Sequence, residues 1–117
     1  MLQQILQEMI ASIPGGRAAI FLDGEGESIA EAGASAVDMR LLGAWKEIQL
    51  DSIRDIASRL GLGAVQAVLF SLDNETELIV PVTEEYCLLV NLSSYTPVLD
   101  ALAVLKTAVA SLKREIT

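Results

Sequence analysis

The residue types that do chemistry are scarce in this chain. It contains no histidine, which removes the commonest general base and the commonest imidazole metal ligand. Its single cysteine, Cys87, sits in the apolar run Tyr86-Cys-Leu-Leu-Val-Asn-Leu92 with nothing nearby to activate a thiol. It reads as a small core hydrophobe rather than a nucleophile. Asp23, Glu25 and Glu27 mimic the opening of a calcium loop. The glycine at position six and the glutamate at position twelve that such a loop needs are missing, so the segment reads as a solvated turn. Gly24-Glu25-Gly26 is half of a dinucleotide fingerprint and connects two strands instead of a strand and a helix. No Gly-x-x-x-x-Gly-Lys-Ser/Thr run exists, so the chain is not itself a P-loop GTPase. Glu84-Glu85 lies at a turn and reads as solvated rather than as an acid/base pair. No catalytic residue, metal ligand or cofactor-binding residue is expected, and the chain is not expected to be an enzyme.

What remains is a strip of charge, Arg40, Glu47, Asp51, Arg54 and Ser58, on one long amphipathic stretch, Val37–Leu60. That stretch holds half of the chain's eight Lys and Arg residues: Arg40, Lys46, Arg54 and Arg59. The strip is either an ordinary solvated face, with Asp51 and Arg54 as i,i+3 neighbours, or a charged docking patch. Ser35-Ala-Val-Asp38 has a Ser-x-x-acid spacing that suits a helix start, and Leu60-Gly61-Leu62-Gly63 places glycine where a helix ends. The stretch is therefore expected to be one helix of about 24 residues, roughly 36 Å long.

On a helical wheel, Val37, Leu41, Ala44, Trp45 and Ile48 share one face. Met39, Leu42, Leu50, Ile53, Ala57 and Leu60 share a neighbouring face, interrupted by Lys46 and Gln49. The apolar arc is about twice what a helix on one sheet needs. Either the helix is deeply buried, or one face meets its own sheet and another meets a partner. The interrupted face suits a semi-polar interface.

The remaining elements position this helix. Leu2, Ile5, Leu6, Met9, Ile10 and Ile13 recur at helical spacing, and Ile13-Pro14-Gly15-Gly16 stops the helix they form. Arg17–Leu22 is an apolar strand, Asp23–Gly26 a hairpin turn, and Glu27–Ala32 a half-polar returning strand at a sheet edge. After the long helix, Ala64–Ser71 has almost no polar face, as expected of a strand covered on both sides. Glu77–Val82 follows, with Pro81 near its end, then Tyr86–Leu92, apolar enough to be central. Thr96-Pro97 reads as an N-cap and first helical residue, before Val98, Leu99, Leu102, Leu105, Val109 and Leu112.

The order is helix-strand-strand-helix-strand-strand-strand-helix. An α+β fold with a five-stranded antiparallel sheet and three helices is the simplest solution. With 117 residues, one domain over 1–117 is expected. The formal charge of -8 disfavours nucleic acid and anionic membrane surfaces. No apolar run approaches the ~18 residues of a membrane span. Met-Leu-Gln-Gln has no basic region like that of a secretory signal, and one cysteine permits no internal disulfide. A cytoplasmic location, without membrane insertion, is the expectation.

This order resembles the roadblock/dynein-light-chain family, of profilin-like and longin-like architecture. The resemblance covers nearly the whole chain. It rests on Ile13-Pro14-Gly15-Gly16 before a strand running into Asp23-Gly24-Glu25-Gly26, on the helix closing at Leu60-Gly61-Leu62-Gly63, and on Leu78-Ile-Val-Pro-Val82 with Tyr86-Cys-Leu-Leu-Val90. Leu22-Asp-Gly-Glu-Gly26 departs slightly from the hydrophobe-Asp-x-Asp-Gly turn usual there. The resemblance implies a non-enzymatic adaptor that dimerises through the strand after the long helix, with the two long helices side by side. Bacterial members, including regulators of gliding motility, often partner small Ras-like GTPases. Eukaryotic members sit on dynein or lysosomal scaffolds. The homodimer interface is accordingly set on Leu42, Leu50, Ile53, Val65, Ala67 and Leu69, and the GTPase-docking face on Arg40, Lys46, Glu47, Asp51 and Arg54. The alternative is a ligand-sensing or scaffold module on a profilin-like sheet, such as a motor-complex light chain.

Overall fold

The computed structural model describes residues 1–117. The chain runs α1 (Leu2–Ser12), β1 (Gly16–Asp23), β2 (Ser28–Gly33), α2 (Met39–Arg59), β3 (Val68–Ser71), β4 (Glu75–Pro81), β5 (Tyr86–Ser93) and α3 (Val98–Ile116). The five strands form one sheet in the order β2-β1-β5-β4-β3, and every neighbouring pair is antiparallel. This is the expected α+β architecture in the expected order.

Side chains alternate across a pleated strand, and the sheet's two faces build two cores. Ala19, Phe21, Leu78, Val80, Leu88, Val90 and Leu92 meet α1 and α3 on one face. Ile20, Leu22, Ile79, Cys87 and Leu89 meet Leu50 of α2 on the other. β5 lies in the middle of the sheet with all but its end residues buried, as its apolar run requires. β2 lies at an edge, again as expected.

Three local expectations are corrected. First, β3 is not covered on both sides. It is the other edge strand, only four residues long, and alternates between half-buried and exposed. Its ladder begins at Val68, opposite Ile79. Continuing the register would bring Gln66 opposite Pro81. Val82 donates its amide to Tyr86 O, toward β5. The Pro81 nitrogen therefore faces the β3 side, where it has no hydrogen to offer. Second, α2 starts at Met39 rather than Val37, because Asp38 is itself the cap: its carboxylate accepts from Leu41 N at 3.2 Å. Ser35 Oγ instead accepts from Val37 N. Third, Thr96 does not cap α3. Its hydroxyl donates to Pro14 O at 2.8 Å, tying the start of α3 to the α1–β1 turn.

The end of α2 is as the sequence predicts. Gly61 takes φ +68°, Leu62 N donates to Ala57 O and Gly61 N to Ser58 O. These are the paired bonds of a Schellman C-cap.

α2 approaches β1 closely at Gly43. A Cβ there would lie 3.0 Å and 3.1 Å from the two Leu22 methyls and 3.5 Å from Ile20 Cγ2. Both neighbours are fully buried. Gly43→Val should therefore lower stability by about 1–3 kcal/mol despite removing a helix glycine. Urea unfolding of the two proteins checks this; an equal or higher midpoint for the variant would contradict the close approach.

Candidate partner-binding surface

Gly43 fixes which way α2 faces. Gly43, Glu47, Leu50 and Ala57 point inward and are buried. Met39 and Leu42 pack on the smaller core beside them. Leu41, Trp45, Ile48 and Ile56 point outward at i, i+4, i+7 and i+15, and each is between 55% and 62% exposed. They form one stripe along the helix, with Leu60 and Leu62 exposed beyond it. Scattered exposed apolar residues are ordinary on a protein surface; here four lie along one side of one helix.

The residues set out for the homodimer are divided by the fold. Leu50 is 1% exposed within the chain's own core. Leu42 and Val65 pack against the same core, and Ala67 packs against the larger one. Ile53 is half-buried on α2, and Leu69 is exposed on the edge strand β3. The partner-docking residues are likewise spread over three environments. Arg40 and Asp51 are exposed, with Arg40 Nε 2.7 Å from Glu31 Oε2. Lys46 turns inward: its Nζ lies 3.6 Å from Glu77 Oε1 and 3.4 Å from the centre of the Phe70 ring. Arg54 reaches the β4–β5 turn, donating to Thr83 O at 2.9 Å and Glu84 O at 3.1 Å.

Wheel reasoning found the stripe residues Leu41, Trp45 and Ile48 but left open which apolar face meets the sheet. Gly43 was the usable signal, since a glycine inside a strong helix commonly marks a close approach.

The inward polar groups carry the unusual electrostatics. Burial pushes the Glu47 carboxyl up to about 7, reinforced by a hydrogen bond with Asp51, by the Asp51 and Asp23 charges, and opposed by Arg54. Burial likewise raises Glu77, against the pull of Lys46. Burial raises Cys87 to about 12, with the Glu47 charge adding to it, so it stays a thiol.

The fold and this surface can be compared with solved structures. The roadblock/LC7 domain from Streptomyces avermitilis matches with a TM-score of 0.89 at 16% identity, over 97% of this chain and 96% of that one. Myxococcus xanthus MglB matches with a TM-score of 0.90 at 14% identity, over 98% and 94% of the two chains. The chain has the roadblock fold. The roadblock match extends to the gliding protein mglB of Thermus thermophilus, with a TM-score of 0.86 at 18% identity over 97% and 86% of the chains. By sequence, no family model and no curated protein matches the chain.

Within this roadblock fold, Arg54 is a clamp between α2 and the β4–β5 turn. Arg54→Ala should cost about 1–2 kcal/mol, the scale of charged hydrogen bonds at a half-buried site. It should also speed amide exchange at Tyr86 and Cys87. Unchanged melting and exchange would show that the turn stands without the clamp.

Proposed function

We propose that the protein is a non-enzymatic adaptor that works as a homodimer and holds a small Ras-like GTPase on the surface around α2. The apolar stripe Leu41-Trp45-Ile48-Ile56 is the observation that carries this reading. It spans about 22 Å of helix, and a lone chain leaves it in water. The open edge of β3, with Leu69 and Leu72 exposed, supports edge-to-edge pairing with a second copy. Two α2 helices then lie near one another, as the resemblance implies, and the GTPase docks on their combined surface. Arg40 and Asp51 are the exposed charges on this face that could meet it. Exposed charges of this kind govern association rate and salt sensitivity, and buried apolar anchors govern lifetime. Arg54, held at its turn, acts by positioning α2 and not as a catalytic finger.

A groove of about 480 Å³ between α3 and β4 supports the second reading, a ligand-sensing module. Val65, Leu102, Leu105 and Val109 line it, with Lys106 and Lys113 alongside. A ligand-sensing module would bind a small amphiphile there with no GTPase partner.

Sedimentation velocity at micromolar concentration tests the adaptor reading. The wild type should sediment as two chains. Trp45→Glu should sediment as one, with an unchanged circular dichroism spectrum. A wild type that sediments as one chain removes the homodimer. Calorimetry with a small Ras-like GTPase from the same cells, in its GTP and GDP forms, tests the partner. Arg40→Glu with Asp51→Lys should weaken binding about tenfold or more and steepen or invert its salt dependence. Equal binding by wild type and variant in both nucleotide states removes this face as the docking site.

A further inference from the structure

The middle of α2 rests on two turns. One joins β1 to β2, where Gly26 lies so close to Ala44 that a Cβ would be 3.2 Å from its Cα. The other joins β4 to β5 and is held by Arg54. Between them, Asp23, Glu47, Asp51, Arg54, Glu84 and Glu85 surround a cavity of about 10 Å³. That is room for one water molecule. Tyr86 and Cys87 of β5 complete its wall.

The charge in this pocket is unbalanced. Asp23 Oδ1 accepts from the amides of Glu25 and Glu27 at 2.9 Å and 3.0 Å, which commits that oxygen to its own turn. Arg54 is the one cation lining the pocket, and its guanidinium is committed to the carbonyls of Thr83 and Glu84. Lys46, the residue before Glu47, points toward Glu77 instead. Glu47 is 7% exposed and forms no ion pair. No three of the acidic groups come together in a way that could hold a metal ion. A proton is therefore the simplest species that relieves this site, because it removes one charge and supplies a donor from one carboxyl to the other.

We propose that Glu47 and Asp51 share a proton that seats the middle of α2 on these two turns, and that release of the proton loosens the helix there. With the proton bound, Glu47 stands neutral in its buried position and bridges to Asp51, one helical turn on. Without it, Glu47 is a buried anion beside Asp23 and Asp51, and the cheapest relief is to move α2 away from the turns so that water enters. The device lies inside one chain, and its test needs no docking partner.

The sign follows from burial. Burial raises Glu47 to about 7 in the fold from an ordinary value of 4.5. Between those values the folded chain holds a proton that the unfolded chain has lost. This group's contribution to stability is therefore greatest below 4.5 and falls as pH rises to about 7.

The test is a pH titration of the full chain from about 5 to 9 with three readouts. Carbon-13 NMR of labelled glutamate follows the Glu47 carboxyl itself. Fluorescence follows Trp45, the only tryptophan, two residues from Glu47 on α2. Amide exchange compares α2 with α3 in one sample. Glu47 should titrate between about 6 and 8, with the Trp45 emission shifting at the same midpoint. Protection across α2 should fall about tenfold or more relative to α3 through that range. Glu47→Gln should abolish both changes, Asp51→Asn should lower their midpoint, and Glu77→Gln should leave them in place. Three results would overturn the switch: Glu47 titrating below about 5.5, Trp45 and α2 protection unmoved while Glu47 titrates, or a transition that persists in Glu47→Gln. If Glu47→Gln does not fold, wild-type NMR with Asp51→Asn decides the question.

Discussion

The close approach of α2 to β1 at Gly43 is the constraint on which the rest of the surface depends. A helix axis can come this near a sheet only where a residue has no side chain. Once Gly43 sits against Leu22 and Ile20, the helix has no rotational freedom left. At 100° per residue, Glu47 and Leu50 must turn inward with it, and Leu41, Trp45 and Ile48 must turn out. The core, the buried carboxyl and the exposed stripe are thus consequences of one contact. The helix ends are fixed independently, by Asp38 at the start and Gly61 at the close.

The fold was legible in the sequence because its signals agree at several levels. Periods changed from helical to alternating at the right places, and Pro, Gly and Asp marked the boundaries. Errors arose where one residue had two physically sensible uses. Ser35 and Asp38 could both serve the helix start, and the carboxylate took it. Thr96 could cap α3, but Pro14 O offered its hydroxyl a partner far away in sequence. Ala64–Ser71 was apolar enough for a central strand, yet the missing amide of Pro81 lay on its side of β4 and left it a short edge. Apolar composition records that a strand will be covered and does not record by what.

The surface was less legible for a related reason. A helix with two apolar faces has two ways of lying on a sheet, and the wheel treats them alike. Charge did not resolve them, because the usual rule places charges outside. Here Lys46 and Glu47 are inside, each with a role that depends on distant residues: Glu77 and Phe70 for one, Asp51 and Asp23 for the other. Arg54 looked like free positive charge and is instead bonded to two backbone carbonyls some thirty positions further along the chain.

That same ambiguity is physical as well as interpretive. An α2 apolar on both faces presents two faces that could cover a sheet, and Gly43 is not alone in choosing between them. The inward polar groups reinforce the choice that the Gly43 contact makes. Turned outward, Lys46 would lose Glu77 and leave a carboxylate buried without its cation, a situation far costlier than the pair itself. Arg54 would lose both carbonyls of the β4–β5 turn. The buried polar row adds little to stability, since burial opposes the charge on both Glu47 and Glu77. Its effect is on specificity: with Gly43, it keeps one of two apolar faces the inner one. The other, Leu41-Trp45-Ile48-Ile56, is thereby committed to solvent or to a partner.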